Sequence, residues 1–186
     1  MTTVQAQTTQ AEATIPAGLW KSDPVHSQVG FAVKHMVVAT FRGTFTDFAV
    51  TLANEDGEPS LYGAVRTDSV QVRDENLNGH LLSPDFFDSE RTPVLSFASD
   101  EISRSGSDLR IAGRLTIKGV TAPVELAGTI GDPFPHPSGT ERLPVRLETT
   151  VDRRQFGIEW NMELPNGEPT LANDVKLTAE LFLVKD

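Results

Sequence analysis

The chain has no cysteine among its 186 residues. Disulfides and thiolate metal sites are therefore excluded, and the redox compartment is left open. Basic residues are scarce: 16 Lys and Arg stand against 26 Asp and Glu, a net charge of −10. The deficit is spread, with −6 in residues 1–93 (6 basic, 12 acidic) and −4 in the remainder (10 basic, 14 acidic). No run of Lys or Arg offsets it locally, so nucleic acid and anionic membrane surfaces are not expected partners. No apolar stretch approaches the ~20 residues that cross a bilayer as a helix, so no integral membrane segment is expected. G-x-x-x-x-G-K-[ST] and G-x-G-x-x-G are both absent, which leaves a nucleotide-phosphate cradle without support. There is no internal repeat.

Residues 1–14 lack the basic and apolar regions of a secretory signal. Their polar, small-residue composition predicts a disordered tail over 1–14, ahead of one domain over 15–186. A chain that begins with Met1 and has no such signal is expected to be cytoplasmic.

What is present is a period of two. Val25, Val29, Phe31 and Val33 alternate with Gln28, Gly30 and Lys34, and His35 falls on the apolar side. The second strand, through Phe41 and Phe45, opens at Gly43. Short alternating segments recur around Val65, Phe97, Leu109–Ile117, Val124–Ile130, Leu143–Val151 and Val175–Leu183. With one more ending near Val72, the pattern makes about eight strands, each with one buried and one wet face. Antiparallel sheets behave this way. Such strands form either a two-sheet sandwich or a closed barrel. The alternation runs to the last strand with no blunted edge, which favours an all-β, eight-stranded antiparallel barrel. A barrel of that size has room for one small ligand.

Three segments break the pattern. Residues 74–87 carry Leu77, Leu81 and Leu82 at helical spacing, ended by Pro84. Ser83-Pro84 reads as a helix cap with Pro at the first helical position. Residues 132–139 are a Pro-rich hairpin loop, and 153–173 a long connection.

Four histidines occur, at 26, 35, 80 and 136. His26 and His35 are nine apart on one predicted strand and face opposite ways, so they do not chelate one metal. No metal site and no cofactor are expected. His80, Ser83 and Asp85 supply the residue types of a hydrolase acting on a small apolar ester or glycoside. No G-x-S-x-G elbow accompanies them, and the expectation is no enzyme. Eight of the ten Phe lie before residue 135. Any one of them reads as plain core, but a barrel that does not fill itself leaves space for an apolar ligand.

The opening W-x-x-D-x-x-H-S-x-V-x-F-x-V-x-H-M at Trp20–Met36 resembles that of the YceI-like family. So do Arg73, His80-Leu81, Ser83-Pro-Asp85-Phe86-Phe87-Asp88 and Pro93-Val-Leu-Ser-Phe97-Ala-Ser99. The likeness continues through Gly113-Arg-Leu115-Thr116-Ile-Lys118-Gly119-Val120-Thr121, Arg153-Arg-Gln-Phe156-Gly157-Ile158 and Asn173-Asp174-Val175. These segments stand in the family's order over residues 15–186. The resemblance implies a lipocalin-like barrel that holds a long-chain isoprenoid lipid, as quinone or prenyl pyrophosphate, without catalysis. Many family members look exported; residues 1–14 do not resemble an export signal, so export is not expected here. The expected lining is Val29, Phe31, Val33, His35, Phe45, Phe48, Phe86, Phe97, Phe156 and Trp160. A polar head group is expected at His35, His80 or Arg42, because forked Arg suits a pyrophosphate and neutral His a quinone oxygen. Monomer and homodimer are both compatible with the pattern.

Overall fold

The computed structural model describes residues 14–186, so the tail expected over 1–14 lies outside it except for Thr14. Within that span the chain forms β1 (Gly18–Ser22), β2 (Gln28–His35), β3 (Ala39–Phe45), β4 (Phe48–Glu55), β5 (Glu58–Arg66) and β6 (Val70–Gln71). A helix, α1 (Glu75–Leu82), leads to β7 (Val94–Ser105), β8 (Asp108–Ile117), β9 (Val120–Ile130), β10 (Phe134–Pro135), β11 (Glu141–Asp152) and β12 (Leu171–Lys185). A 3-10 turn, Arg153–Phe156, follows β11.

Eight strands close on themselves. From β11 the ring passes through β9, β8, β7, β5, β4, β1 and β12, and β12 returns to β11. The last seam runs from Arg142↔Val184 to Asp152↔Asp174. Pairing around the ring is antiparallel. The expected eight-stranded antiparallel barrel with one short helix is the observed fold. Closure removes the exposed edges that the alternation left unaccounted for.

Four strands lie outside the ring, and three of them, β2, β3 and β6, heighten its wall. The 15-residue β12 pairs with β1 near its end and with β2 nearer its start. β3 and β6 then continue outward from β2. The barrel therefore has a β1 end and a taller β2 end. The Pro-rich segment is not all loop: Phe134 and Pro135 form β10 against Glu141 and Arg142, at the β1 end.

Two expectations about the opening strands need correction. The predicted strand through His26 divides at residues 23–27. Pro24 lacks an amide donor, and Asp23 takes the Val25 N–H (2.9 Å) on its side chain and the Ser27 N–H (2.9 Å) on its carbonyl. Val25 stands on this turn, 82% exposed, and His26 lies outside β2. Gly43 does not open its strand either; β3 begins at Ala39, and Gly43 sits mid-strand opposite Phe31. A Cβ there would lie 2.5 Å from the Phe31 ring, so the glycine is the seat on which that ring lies flat.

Inward residues of the β1 end form a solid core. Trp20, Leu52, Ile111, Ile130, Leu143 and Leu183 are essentially inaccessible. A smaller cluster of Phe45, Phe48, Val65, Val70 and Leu81 sits under α1.

Candidate functional site

The β2 end is not filled. A cavity of about 320 Å³ lies between β2, β3, β12, α1 and the 153–171 segment. A narrower one of about 120 Å³ continues toward the β1 end, and Phe45, Leu95 and Leu177 line both. One water needs only about 10–15 Å³ of such space, so these are not packing defects. The larger falls within the range of small-molecule sites, about 300–1,000 Å³. Its wall includes Phe31, Val33, Phe41, Phe45, Phe86, Phe87, Phe156, Ile158 and Leu177. Among the described residues, no Asp or Glu lines it.

The rings form two groups. Phe31 stands 6.2 Å from Phe41, 6.0 Å from Phe45 and 6.2 Å from Phe87, ring centre to ring centre. This spacing is that of tilted and edge-on aromatic contact. The second group joins the helix to the late loop. His80 meets Phe86 edge-on at 4.9 Å and Trp160 edge-on at 4.8 Å. Met36, Leu77 and Met162 line the cavity yet are 49%, 46% and 58% exposed, which locates its mouth.

Local chemistry fixes both covers of the mouth. Asp74 caps α1 by accepting the Leu77 N–H at 3.0 Å. Ser83 is the cap at the other end of α1, so the expected start of a helix at Ser83-Pro84 is corrected. Pro84 follows the helix, where its missing donor does no harm. Lys118, on the turn after β8, donates to the carbonyls of Pro84 and Gly157 and ties the two covers together. The late loop is ordered as a strip: Asn161 Oδ1 accepts the Leu171 N–H at 3.0 Å, and Asn161 Nδ2 donates to the Leu171 carbonyl at 2.8 Å.

The expected lining residues divide into three sets. Phe31, Val33, His35, Phe45, His80, Phe86, Phe156 and Trp160 line the larger cavity. Val29 and Phe97 line the narrower one. Phe48 and Arg42 line neither. Phe48 is packed in the solid cluster beneath α1. Arg42 is exposed because its neighbours Phe41 and Gly43 take the inward positions of β3. Arg153 and Thr170 also line the cavity, and alternation did not point to them. Both lie outside the strands, where a period of two carries no information.

The hydrolase arrangement does not assemble. The Ser83 hydroxyl donates to the His80 carbonyl at 2.7 Å, while the imidazole Nε2 faces Asp85 at 2.8 Å. A nucleophile needs its base within hydrogen-bond reach, and here that base is turned to an acid instead. Among the described residues no cluster of three His, Asp or Glu could hold a metal ion. Nor is any helix there long and apolar enough to cross a membrane.

The sequence model of the YceI-like domain matches residues 20–183. The chain belongs to the YceI-like family. A UPF0312 protein of Staphylococcus aureus strain USA300 is 30% identical over 164 residues, 84% of this chain and 92% of that one. Among solved structures, BcnA of Burkholderia cenocepacia superposes with a TM-score of 0.70 at 21% identity, covering 89% of this chain and 99% of BcnA. A polyisoprenoid binding domain from Saccharophagus degradans superposes at 0.68 and 12% identity, over 92% of this chain and all (100%) of that domain. At those identities the two structures speak for the shared barrel alone.

Proposed function

We propose that this protein binds a long-chain polyisoprenoid lipid inside the barrel and carries or stores it without chemical change. The observation behind this reading is a pair of adjoining apolar cavities that share Phe45, Leu95 and Leu177 as wall, the larger one open through Met36, Leu77 and Met162. An elongated tail fits their shape better than a compact metabolite does. Each methylene moved from water to such a wall contributes about 0.8 kcal/mol. Family membership, and a structural neighbour described as a polyisoprenoid binding domain, support the choice of tail. The turned-away Ser83 hydroxyl supports a role without catalysis.

The test is native mass spectrometry of the purified protein, followed by organic extraction and uptake of prenyl quinones and prenyl phosphates. A bound or incorporated isoprenoid is the expected result. Uptake of polar metabolites only, with no isoprenoid, overturns the reading.

A further inference from the structure

Two buried polar side chains, Arg153 and Thr170, stand in the otherwise apolar wall of the larger cavity. Arg153 is 5% exposed and forms part of the wall. Its Nε donates to Ala172 O at 2.9 Å, and its Nη1 to Ile158 O at 2.9 Å and Trp160 O at 2.7 Å. Nη2 has no hydrogen-bond partner among the described residues, and no carboxylate there forms an ion pair with the guanidinium. The adjacent acid, Asp152, is held by Arg154 at 2.6 Å. Three carbonyls supply dipoles but no countercharge, and a buried charge without one is costly. Burial pushes the Arg153 guanidinium below the usual arginine range, and the Asp152 charge pulls it back up.

A second, independent observation falls in the same wall. Thr170 is 6% exposed, lines the cavity, and its hydroxyl has no partner. It shares the Asn161 strip with Arg153: the Thr170 N–H donates to Met162 O at 2.8 Å, while Arg153 joins Trp160 to Ala172. His35, opposite Leu171 in register, lines the cavity beside this strip.

We propose that Arg153, with Thr170 and His35, forms a seat for an oxyanion head group, carboxylate or phosphate, whose tail runs past Leu177 into the narrower chamber. This rests on the lipid-binding reading above. It replaces Arg42 with Arg153 as the group that faces the head. A carboxylate or phosphate accepts from the free Nη2 and supplies the missing countercharge, and a turn of the Thr170 side chain brings its enclosed, unpartnered hydroxyl to the same group. A quinone offers only neutral oxygens, and an amine repels the guanidinium.

The experiment compares ligands that share a tail, titrated into delipidated full-length protein. Oleate, oleyl alcohol and oleylamine form one series; farnesyl phosphate and farnesol form another. Oleate or farnesyl phosphate is expected to bind about tenfold to a hundredfold tighter than its alcohol, with oleylamine weakest. The series with the wider gap tells whether carboxylate or phosphate is the native head. Arg153→Gln, where folded, should close the gap, and Thr170→Val should narrow it several-fold. Should Arg153→Gln not fold, the wild-type series and Thr170→Val decide. Alcohols and acids that bind alike, or a gap that survives in folded Arg153→Gln, overturn the seat while leaving the lipid reading intact. If no ligand of either series binds, the lipid reading itself fails.

Discussion

The two ends of this barrel share β8, β9, β11 and β12, yet one end is solid and the other hollow. At the β1 end, Leu109, Ile130, Leu143 and Leu183 point into a narrow ring and interdigitate around Trp20. From the β2 end down to the narrower cavity, the inward positions carry rings, and two of those rings lie on glycines. Phe31 covers Gly43, and Phe97 covers Gly113, where an added Cβ would meet the ring at 2.5 Å in each case. A large side chain laid flat against a wall hides the backbone without reaching the middle. Aliphatic side chains standing upright do reach it. Size of side chain therefore does not decide whether a barrel fills; the residue across the strand does.

The comparison breaks most visibly under large-to-small changes. Leu143→Ala leaves a void in a region with no give and should cost about 2–5 kcal/mol. Val33→Ala only enlarges a space that is already open, so its cost should be a fraction of that. Urea unfolding of both lipid-free variants checks this. Equal losses would show the β2 end to be as tightly packed as the β1 end.

Small-to-large changes sharpen the same contrast. Phe48→Trp inserts bulk into the packed cluster under α1 and should cost about 1–3 kcal/mol. Leu177→Trp places its bulk where the two chambers meet, and the lipid-free protein should tolerate it. The expected consequence is a cut-off in tail length: short isoprenoids still enter the outer chamber, and long ones lose affinity. Titration with prenyl alcohols of increasing length reads this directly. A uniform loss at every length would mean that the tail does not pass Leu177.

Alternation along the chain was enough to read a closed antiparallel barrel, because a buried face and a wet face leave an unmistakable period of two. It was not enough to separate Phe45 from Phe48, since an inward ring looks the same in sequence whether it meets space or a neighbour. Arg42 has the forked chemistry that suits a pyrophosphate, but its parity on β3 turns it outward. The deeper site at Arg153 and Thr170 rests on a 3-10 turn and a strip held by the Asn161 side chain, neither of which has a period. The break at residues 23–27 did carry a signal in Asp23-Pro24, a residue that turns its own backbone followed by one without a donor. The alternation of Val29, Phe31 and Val33 beyond it masked that signal.

The smallest expected effect returns to the β1 end and to pH. Asp23 accepts the Val25 N–H at 2.9 Å, faces His26 Nδ1 at 2.8 Å and lies 3.1 Å from Arg142 Nη1. The hydrogen bond with His26, then that from Val25, holds this carboxyl below the usual aspartate range. A carboxylate whose folded value is depressed stabilises the fold above its unfolded value, about 3.9, and loses that contribution as pH falls through the folded one. Acid should therefore weaken the wild type progressively below about pH 4. Asp23→Asn should cost about 0.5–1.5 kcal/mol at neutral pH and flatten that acid limb. Lipid uptake at neutral pH should not change, because the turn at residues 23–27 stands at the end away from the cavity. Urea midpoints of the two proteins from pH 3 to pH 7 read the difference. Parallel curves would remove Asp23 as the source, and a change in uptake would show that the two ends are coupled.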